Sequence, residues 1–405
     1  MTVKSILMAG VVGLTASGAW ACAFENEIPV SSLSAGFEAW KAATDAMAEC
    51  GNFEAELDQE FRQKQPSAFA ANPWLYAIGG VANGTITPLL NEGTIRPLDD
   101  LIAKYGQNLR PNQLIKIDGE TMAVAMMVNV QHLMYRQDIF DDLGLDVPTT
   151  YDEVLAAAAA IQEAGVVEYP LGMTMKSGWN LAQDFVNMYA GYGGAFTGDA
   201  FETIGSSEPA MNALGTMMAL TEFTDPEVLV SDSTYVQQQF QQGKIAMANL
   251  WASRGGAMDN AEESQVVGMV NGAAAPLAMA GGSPATTLWW DGIVIAQNIP
   301  DDVAEAAFRV AMEGMDAEMV TGANDAAIWL VEGYEPTRLA AGAIAAATAS
   351  PPPPSYPSSS EMGLMHTALG NELPAFFTGE RDAAATLAAI QDAYLTAAAE
   401  AGLAE

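Results

Sequence analysis

Three short stretches carry side chains whose types and spacing could grip a polar ring. Residues 287–296 read TLWWDGIVIA, with Trp289, Trp290 and Asp291 at the mouth of an apolar run. In an extended segment side chains alternate faces, so Trp289 and Asp291 share one side while Trp290 points to the other. A flat indole beside a carboxylate offers a stacking surface for the C–H face of a sugar ring and an acceptor for its hydroxyls. Buried without a partner, the same carboxylate would lose its water shell at a cost of roughly several kcal/mol. The bland alternative is a packed tryptophan pair with the aspartate capping a turn. A second stretch, MTMKSGWNLAQDF, sets Trp179 in a turn at a helix start, a place suited to stacking. The third, NLWASRG, sets Trp251 and Arg254 just after a strand-like run. Arg254 can fork two hydrogen bonds to adjacent hydroxyls or grip a carboxylate, sulfonate or phosphate. It can equally pair with one of the chain's many acids. Lys176 and Arg338 have similar status, with weaker placement.

Strand-like runs alternate with helical patterns along the chain, which indicates α/β layers. Extended candidates fall at 27–33, 53–61 and 75–81, with a helix over 37–48. The clearest helix follows Thr150, its N-cap; Glu153 completes a capping box and Gly165 sits just past the end. Two more helices cover 301–314 and the last stretch through Leu387, Ile390 and Tyr394. In open α/β sheets ligands sit beyond the carboxyl ends of strands, so the loops there supply further candidates. Ser34 and Phe37 follow the first strand; Phe37 is either a cleft contact or a hydrophobic staple for the next helix. Asn83, in VANGT, is either a turn residue or a polar contact. Asn129 and Gln131 have apolar flanks, so their amides need partners from backbone or ligand. The segment SPPPPSYPSSS (350–360) predicts a polyproline II linker or surface loop, from which Tyr356 can reach a cleft. Trp74 and Trp329 are expected in cores, and the methionines as gap filling.

Composition narrows the partners. The 405 residues allow two or three domain-sized units, and 50 acids against 15 bases give a net charge of −35. That balance argues against nucleic acid or an anionic membrane, both of which reward lysine and arginine. The first 21 residues, MTVKSILMAGVVGLTASGAWA, have the early lysine, apolar stretch and A-x-A site of an export signal. Cleavage after Ala21 makes Cys22 the first mature residue, either lipid-modified or bonded to Cys50; a disulfide suits an exported chain better. Two cysteines and two histidines leave little for a zinc site or a Cys–His pair. No metal or cofactor is expected, and no Cys–His nucleophile.

Residues 118–165 contain Asp118-Gly119, Asn129, Leu133, Tyr135, Asp138, Phe140, Gly144-Leu145-Asp146, Pro148 and Thr149-Thr150. This run resembles the central signature of the bacterial family 1 extracellular solute-binding proteins, the maltose-binding-like receptors of sugar ABC transporters. FQQGKIAMANLWASRG (240–255) is similar to that family's F-x-x-G-K-A-A-M segment and ligand loop. LWWDGIVIAQNIPDDVAEAAFRVAMEG resembles its returning strand and helix. The chain departs from the pattern at Ala125, where proline is common, at Arg136, and at Trp289-Trp290-Asp291, where glycines are common.

The resemblance implies a two-lobe, type II periplasmic-binding-protein-like α/β fold. Each lobe would be a mixed sheet flanked by helices, with the ligand in the cleft between. The expected N-terminal lobe is 22–129 plus 287–343, and the C-terminal lobe 130–286 plus 344–405. A monomeric periplasmic receptor is implied, delivering a small carbohydrate (sugar, glycoside or polyol) to an ABC permease by lobe closure. The expected ligand set is Trp289, Asp291, Trp251, Trp179, Arg254, Asn129, Asn83, Gln131, Trp290 and Phe37, with Trp290 the better candidate for packing. Arg254 and Lys176 keep open an anionic sugar, either a sugar acid or a sulfonated sugar. The rival class is a secreted glycoside-active enzyme, which needs two suitably spaced carboxylates.

Overall fold

The computed structural model describes residues 22–403; the expected export signal, residues 1–21, lies outside them. Eleven strands are found among the described residues. The first five are β1 (Val30–Ser34), β2 (Phe53–Leu57), β3 (Ile78–Ala82), β4 (Leu114–Ile117) and β5 (Glu120–Asn129). Then come β6 (Gln131–Arg136), β7 (Tyr169–Gly172), β8 (Ile245–Trp251) and β9 (Val270–Ala273). β10 (Trp289–Ile295) and β11 (Ile328–Trp329) complete the set. They form two sheets. The first has the order β11-β5-β10-β3-β1-β2, with β4 on β5; the second runs β7-β8-β6-β9. Both are mixed: β1 is parallel to β2 and β3, whereas β10 runs antiparallel between β3 and β5. In the second sheet β7 is parallel to β8, and β6 is antiparallel to both β8 and β9.

The first lobe is built around β3, whose residues are all buried. Adjacent strand residues face opposite sides, and here both are glycine because both sides are crowded. A Cβ on Gly79 would lie 2.7 Å from the Phe69 ring, and one on Gly80 would lie 2.8 Å from the Trp40 ring. Helices Glu38–Ala48 and Phe61–Ala70 therefore press close to the sheet, Trp40 from one and Phe69 from the other. Gln65 fixes the second helix further, donating to the carbonyls of Leu33 (3.0 Å) and Gly80 (2.6 Å). The sequence predicts an extended run over 53–61; instead the strand stops at Leu57 and a helix starts at Phe61. Pro66 inside that helix obscures a buried repeat of Phe61, Gln65, Ala68 and Phe69. By contrast, helix Tyr151–Ala164 has the predicted ends: Thr150 and Glu153 form a capping box, and Gly165 takes φ 62°.

The chain passes between the sheets three times. Only Val130 separates β5 from β6. The return enters the first sheet at Trp289, which pairs with Asn129. After β11, helix Ala340–Ala347 packs on β9 and β6, so residues 340–343, expected with the first lobe, lie against the second sheet. Helices Ser360–Glu372 and Ala383–Glu400 then complete the second core. The proline-rich segment is pinned rather than a free linker. Leu288 donates its N–H to the Pro354 carbonyl (2.9 Å), and Tyr356 donates to Leu288 (3.0 Å). A disulfide joins Cys22 and Cys50. Among the described residues no helix is long and apolar enough to cross a membrane.

Candidate ligand-binding cleft

A cleft of about 720 Å³ opens between the two sheets. Phe37, Arg62 and Asp291 line it from the first lobe, and Trp179, Trp251 and Arg254 from the second. Asn129 sits at the crossing; its amide donates to Ser253 Oγ (3.1 Å) and its oxygen accepts the Val130 N–H (3.1 Å). Trp179 and Trp251 lie roughly parallel, ring centres 6.4 Å apart. Trp289 stands edge-on to both, at 5.7 and 5.8 Å. Its ring is only 6% exposed, backed by Tyr356 at 4.1 Å, and its indole N–H donates to Thr287 Oγ1 (3.0 Å). Trp289 therefore presents an edge as the cleft floor, while Trp179, only partly buried, is the more open aromatic surface.

The charges are arranged asymmetrically. Arg254 donates to two neutral groups, Gln237 Oε1 (3.2 Å) and Ser233 Oγ (3.3 Å), rather than to a carboxylate. Its burial lowers the guanidinium's hold on its proton, partly offset by Asp232 and Glu38. Arg62 stands over the Trp179 ring, 4.5 Å from its centre, a cation–π contact that joins the two lobes. Burial pushes the Asp291 carboxyl up to about 7, against the opposing pull of Arg62 and the Trp40 indole. Near neutral pH Asp291 can thus act as acceptor or, protonated, as donor. Lys176 also lines the cleft but is paired with Asp232 at 3.3 Å. Asp232 in turn caps helix Ser233–Gln241, accepting the N–H groups of Thr234 and Tyr235.

Three expected ligand residues have other occupations. Asn83 is buried and donates to the carbonyls of Leu288 (3.2 Å) and Tyr356 (3.0 Å), fastening the crossing and the proline-rich segment to β3. Gln131 faces into the second lobe, where it accepts from Asn187 (2.5 Å) and donates to Thr174 (3.3 Å). Trp290 turns to the opposite face from Trp289, as strand alternation requires, and packs against the first core. Arg338 pairs with Asp259 away from the cleft. Ser34 is fully buried, and Tyr356 lies behind Trp289, its hydroxyl 2.9 Å from His366 Nδ1.

Gln131 belongs to a buried polar chain that starts at the cleft floor. The Trp289 N–H meets Thr287, whose hydroxyl donates to Asn187 (2.8 Å); Asn187 donates to Gln131, Gln131 to Thr174, and Thr174 to Asp184 (2.6 Å). Burial pushes the Asp184 carboxyl up to about 7, with the Thr174 hydrogen bond opposing. It lines a small cavity of about 30 Å³ with Gln131, Asn187, Asn249 and Tyr151, room for about one water. Arg62 is one of several cleft residues that the sequence did not mark, along with Glu60, Asp232 and Ser253. For Arg62 the signal was the apolar spacing Phe61–Phe69, which Pro66 concealed.

The arrangement offers aromatic surfaces and hydrogen-bonding groups from both lobes around one enclosed volume. No curated protein matches the chain in sequence. Solved structures do match in fold. A solute-binding protein of an ABC transporter from Agrobacterium radiobacter K84, in complex with ribitol, superposes with a TM-score of 0.79 at 19% identity. The alignment covers 91% of this chain and 98% of that one. One from Agrobacterium vitis S4, with bound D-mannitol, gives 0.76 at 19% identity over 92% and 99%. A maltose-bound protein from T. maritima gives 0.75 at 17% identity over 91% and 99%. The fold is thus the two-lobe, type II arrangement. The sequence profile of a family described as bacterial extracellular solute-binding proteins matches residues 38–330, and the chain belongs to that family.

Proposed function

We propose that this protein is a periplasmic receptor that captures a small carbohydrate, a sugar, glycoside or polyol, and delivers it to an ABC permease. The observation that carries this reading is the tryptophan set of the cleft, Trp179 and Trp251 roughly parallel over the edge of Trp289, with Asp291 and Asn129 beside them. Such surfaces suit the C–H faces of a sugar ring, and the polar groups suit its hydroxyls. That the structural neighbours are described with ribitol, D-mannitol and maltose supports the same class of ligand. The N-terminal 21 residues act as the export signal, and the mature protein works as a monomer. Lobes of 22–129 plus 287–338 and of 130–286 plus 339–405 close on the ligand, which favours the closed state by its contacts with both. No bond is made or broken.

The test is thermal unfolding of residues 22–405 against monosaccharides, disaccharides and polyols. A ligand at about 100 times its Kd adds about 2.7 kcal/mol. Trp179→Ala is expected to weaken that shift strongly, read against the variant's own ligand-free melting temperature, because Trp179 also packs on Trp251, Trp289 and His366. An unchanged melting temperature across the whole panel would remove the carbohydrate assignment, and turnover of a bound sugar would remove the receptor reading.

A further inference from the structure

We propose that the cleft selects a carbohydrate bearing an acidic group, held between Arg62 of the first lobe and Arg254 of the second. This rests on the carbohydrate-receptor reading and narrows its ligand. In a chain with 50 acids and 15 bases, cations readily find carboxylates. Arg96, Arg136, Arg338, Arg381 and Lys176 have all done so. Among the described residues, Arg62, Arg110, Lys116, Arg254 and Arg309 form no ion pair; of these, Arg62 and Arg254 line the cleft, together with three carboxylates, of Glu60, Asp232 and Asp291. Asp232 is occupied by its helix N-terminus and by Lys176. Glu60 stands exposed at the rim, and Asp291, though it feels the charge of Arg62, forms no ion pair with it and lies beside the Trp40 indole.

The way each arginine is held matters. Gln237 and Ser233 fix Arg254 through two of its N–H groups without neutralising it. A guanidinium has five such donors, so three remain. Arg62 is steadied by the Trp179 ring, a contact that uses none of its donors. Closing the cleft removes water from both cations, which is costly unless the occupant supplies charge as well as acceptors. Neutral hydroxyls supply only acceptors. A carboxylate, sulfonate or phosphate matches the planar fork and brings the charge. An anion that reaches both arginines touches both lobes, so its charge also favours closure.

The experiment is calorimetric titration of residues 22–405 with matched pairs: D-glucose and D-glucuronate, and D-galactose and D-galacturonate. D-Glucose 6-phosphate and 6-deoxy-6-sulfo-D-glucose are further arms, and inorganic phosphate is a control for an anion without a sugar. At least one acidic sugar is expected to bind about 30-fold more tightly than its neutral parent, the order expected for charge-assisted hydrogen bonds. The preferred arm identifies the acidic group. Arg62→Gln and Arg254→Gln should each erase most of that preference, and Arg62→Lys and Arg254→Lys, which keep the charge, should restore part of it. Neutral D-glucose or D-galactose binding as tightly as every acid would overturn the proposal and leave the carbohydrate reading standing. Equal binding of inorganic phosphate and the acidic sugars would overturn it as well. Binding of nothing in this panel would overturn the acidic-sugar proposal, and the thermal panel of neutral sugars and polyols then decides the carbohydrate reading separately.

Discussion

Trp289 is the residue at which a ligand role and a packing role can be separated by measurement. Its indole is 6% exposed, is in contact with three aromatic rings and begins a buried polar chain. Trp289→Ala should therefore destabilise the empty protein by about 3–5 kcal/mol. The mature chain has 405 − 21 = 384 residues. At roughly 2.1 cal/mol/K per residue its unfolding entropy is about 0.8 kcal/mol/K, so the melting temperature should fall by about 4–6 °C. Trp289→Phe keeps a ring but loses the N–H. Thr287 retains its bond from Gln183 (3.0 Å), so the expected cost is only about 1–2 kcal/mol, or about 1–3 °C. Differential scanning calorimetry without ligand reads both. If Trp289→Ala melted within about 1 °C of the unaltered protein, the ring would be a surface reserved for ligand, and the packing described here would be wrong.

Asp184 predicts a pH signature. With its folded carboxyl at about 7 and an unfolded value of roughly 3.9, the folded chain keeps a proton that the unfolded chain has released. Its stabilising contribution is whole below about pH 4 and is lost as pH rises towards 7. Asp184→Asn should therefore gain stability relative to the unaltered protein over that interval, by at most about 4 kcal/mol. His132 and His366, both pushed down to about 4 by burial, give the opposite trend, losing stability as pH falls from about 6.5. The difference between the two proteins' melting curves cancels that contribution, and a difference independent of pH would refute the assignment. The disulfide closes a separation of 28 residues, worth about 3–4 kcal/mol in the chain-entropy view. Cys22→Ala with Cys50→Ala should lower the melting temperature by about 4–5 °C, and an unchanged melt would mean that the bond constrains little.

What was legible in the sequence was what local chemistry decides. The capping box at Thr150 and the left-handed Gly165 depend on near neighbours, so helix Tyr151–Ala164 could be read directly. The opposite faces of Trp289 and Trp290 follow from strand alternation, which the pairing of β10 preserves. For Asn83 and Gln131 the sequence leaves ligand and protein partners open, because the partners they take are remote in sequence: Leu288 and Tyr356 for one, Thr174 and Asn187 for the other. A buried amide shows its need for partners in sequence but not their identity. Arg62 was missed for a different reason. Its helix contains Pro66, which competes with the apolar spacing, and packing of Phe69 at Gly79 decides the outcome.

The single residue between β5 and β6 also sets a rule about length. Asn129 pairs with Trp289 and Gln131 with Trp251, so one nearly continuous strand serves both sheets. Because side chains alternate along it, one inserted residue would turn β6 over relative to β5. Leu133 and Tyr135 would leave their core, and Trp251 would lose its place beside Trp289. Two inserted residues would restore the facing but lengthen the joint by about 7 Å, wide enough to part the aromatic walls. The segment thus behaves as a ruler between the lobes, whose count of residues sets the facing and spacing of both sheets.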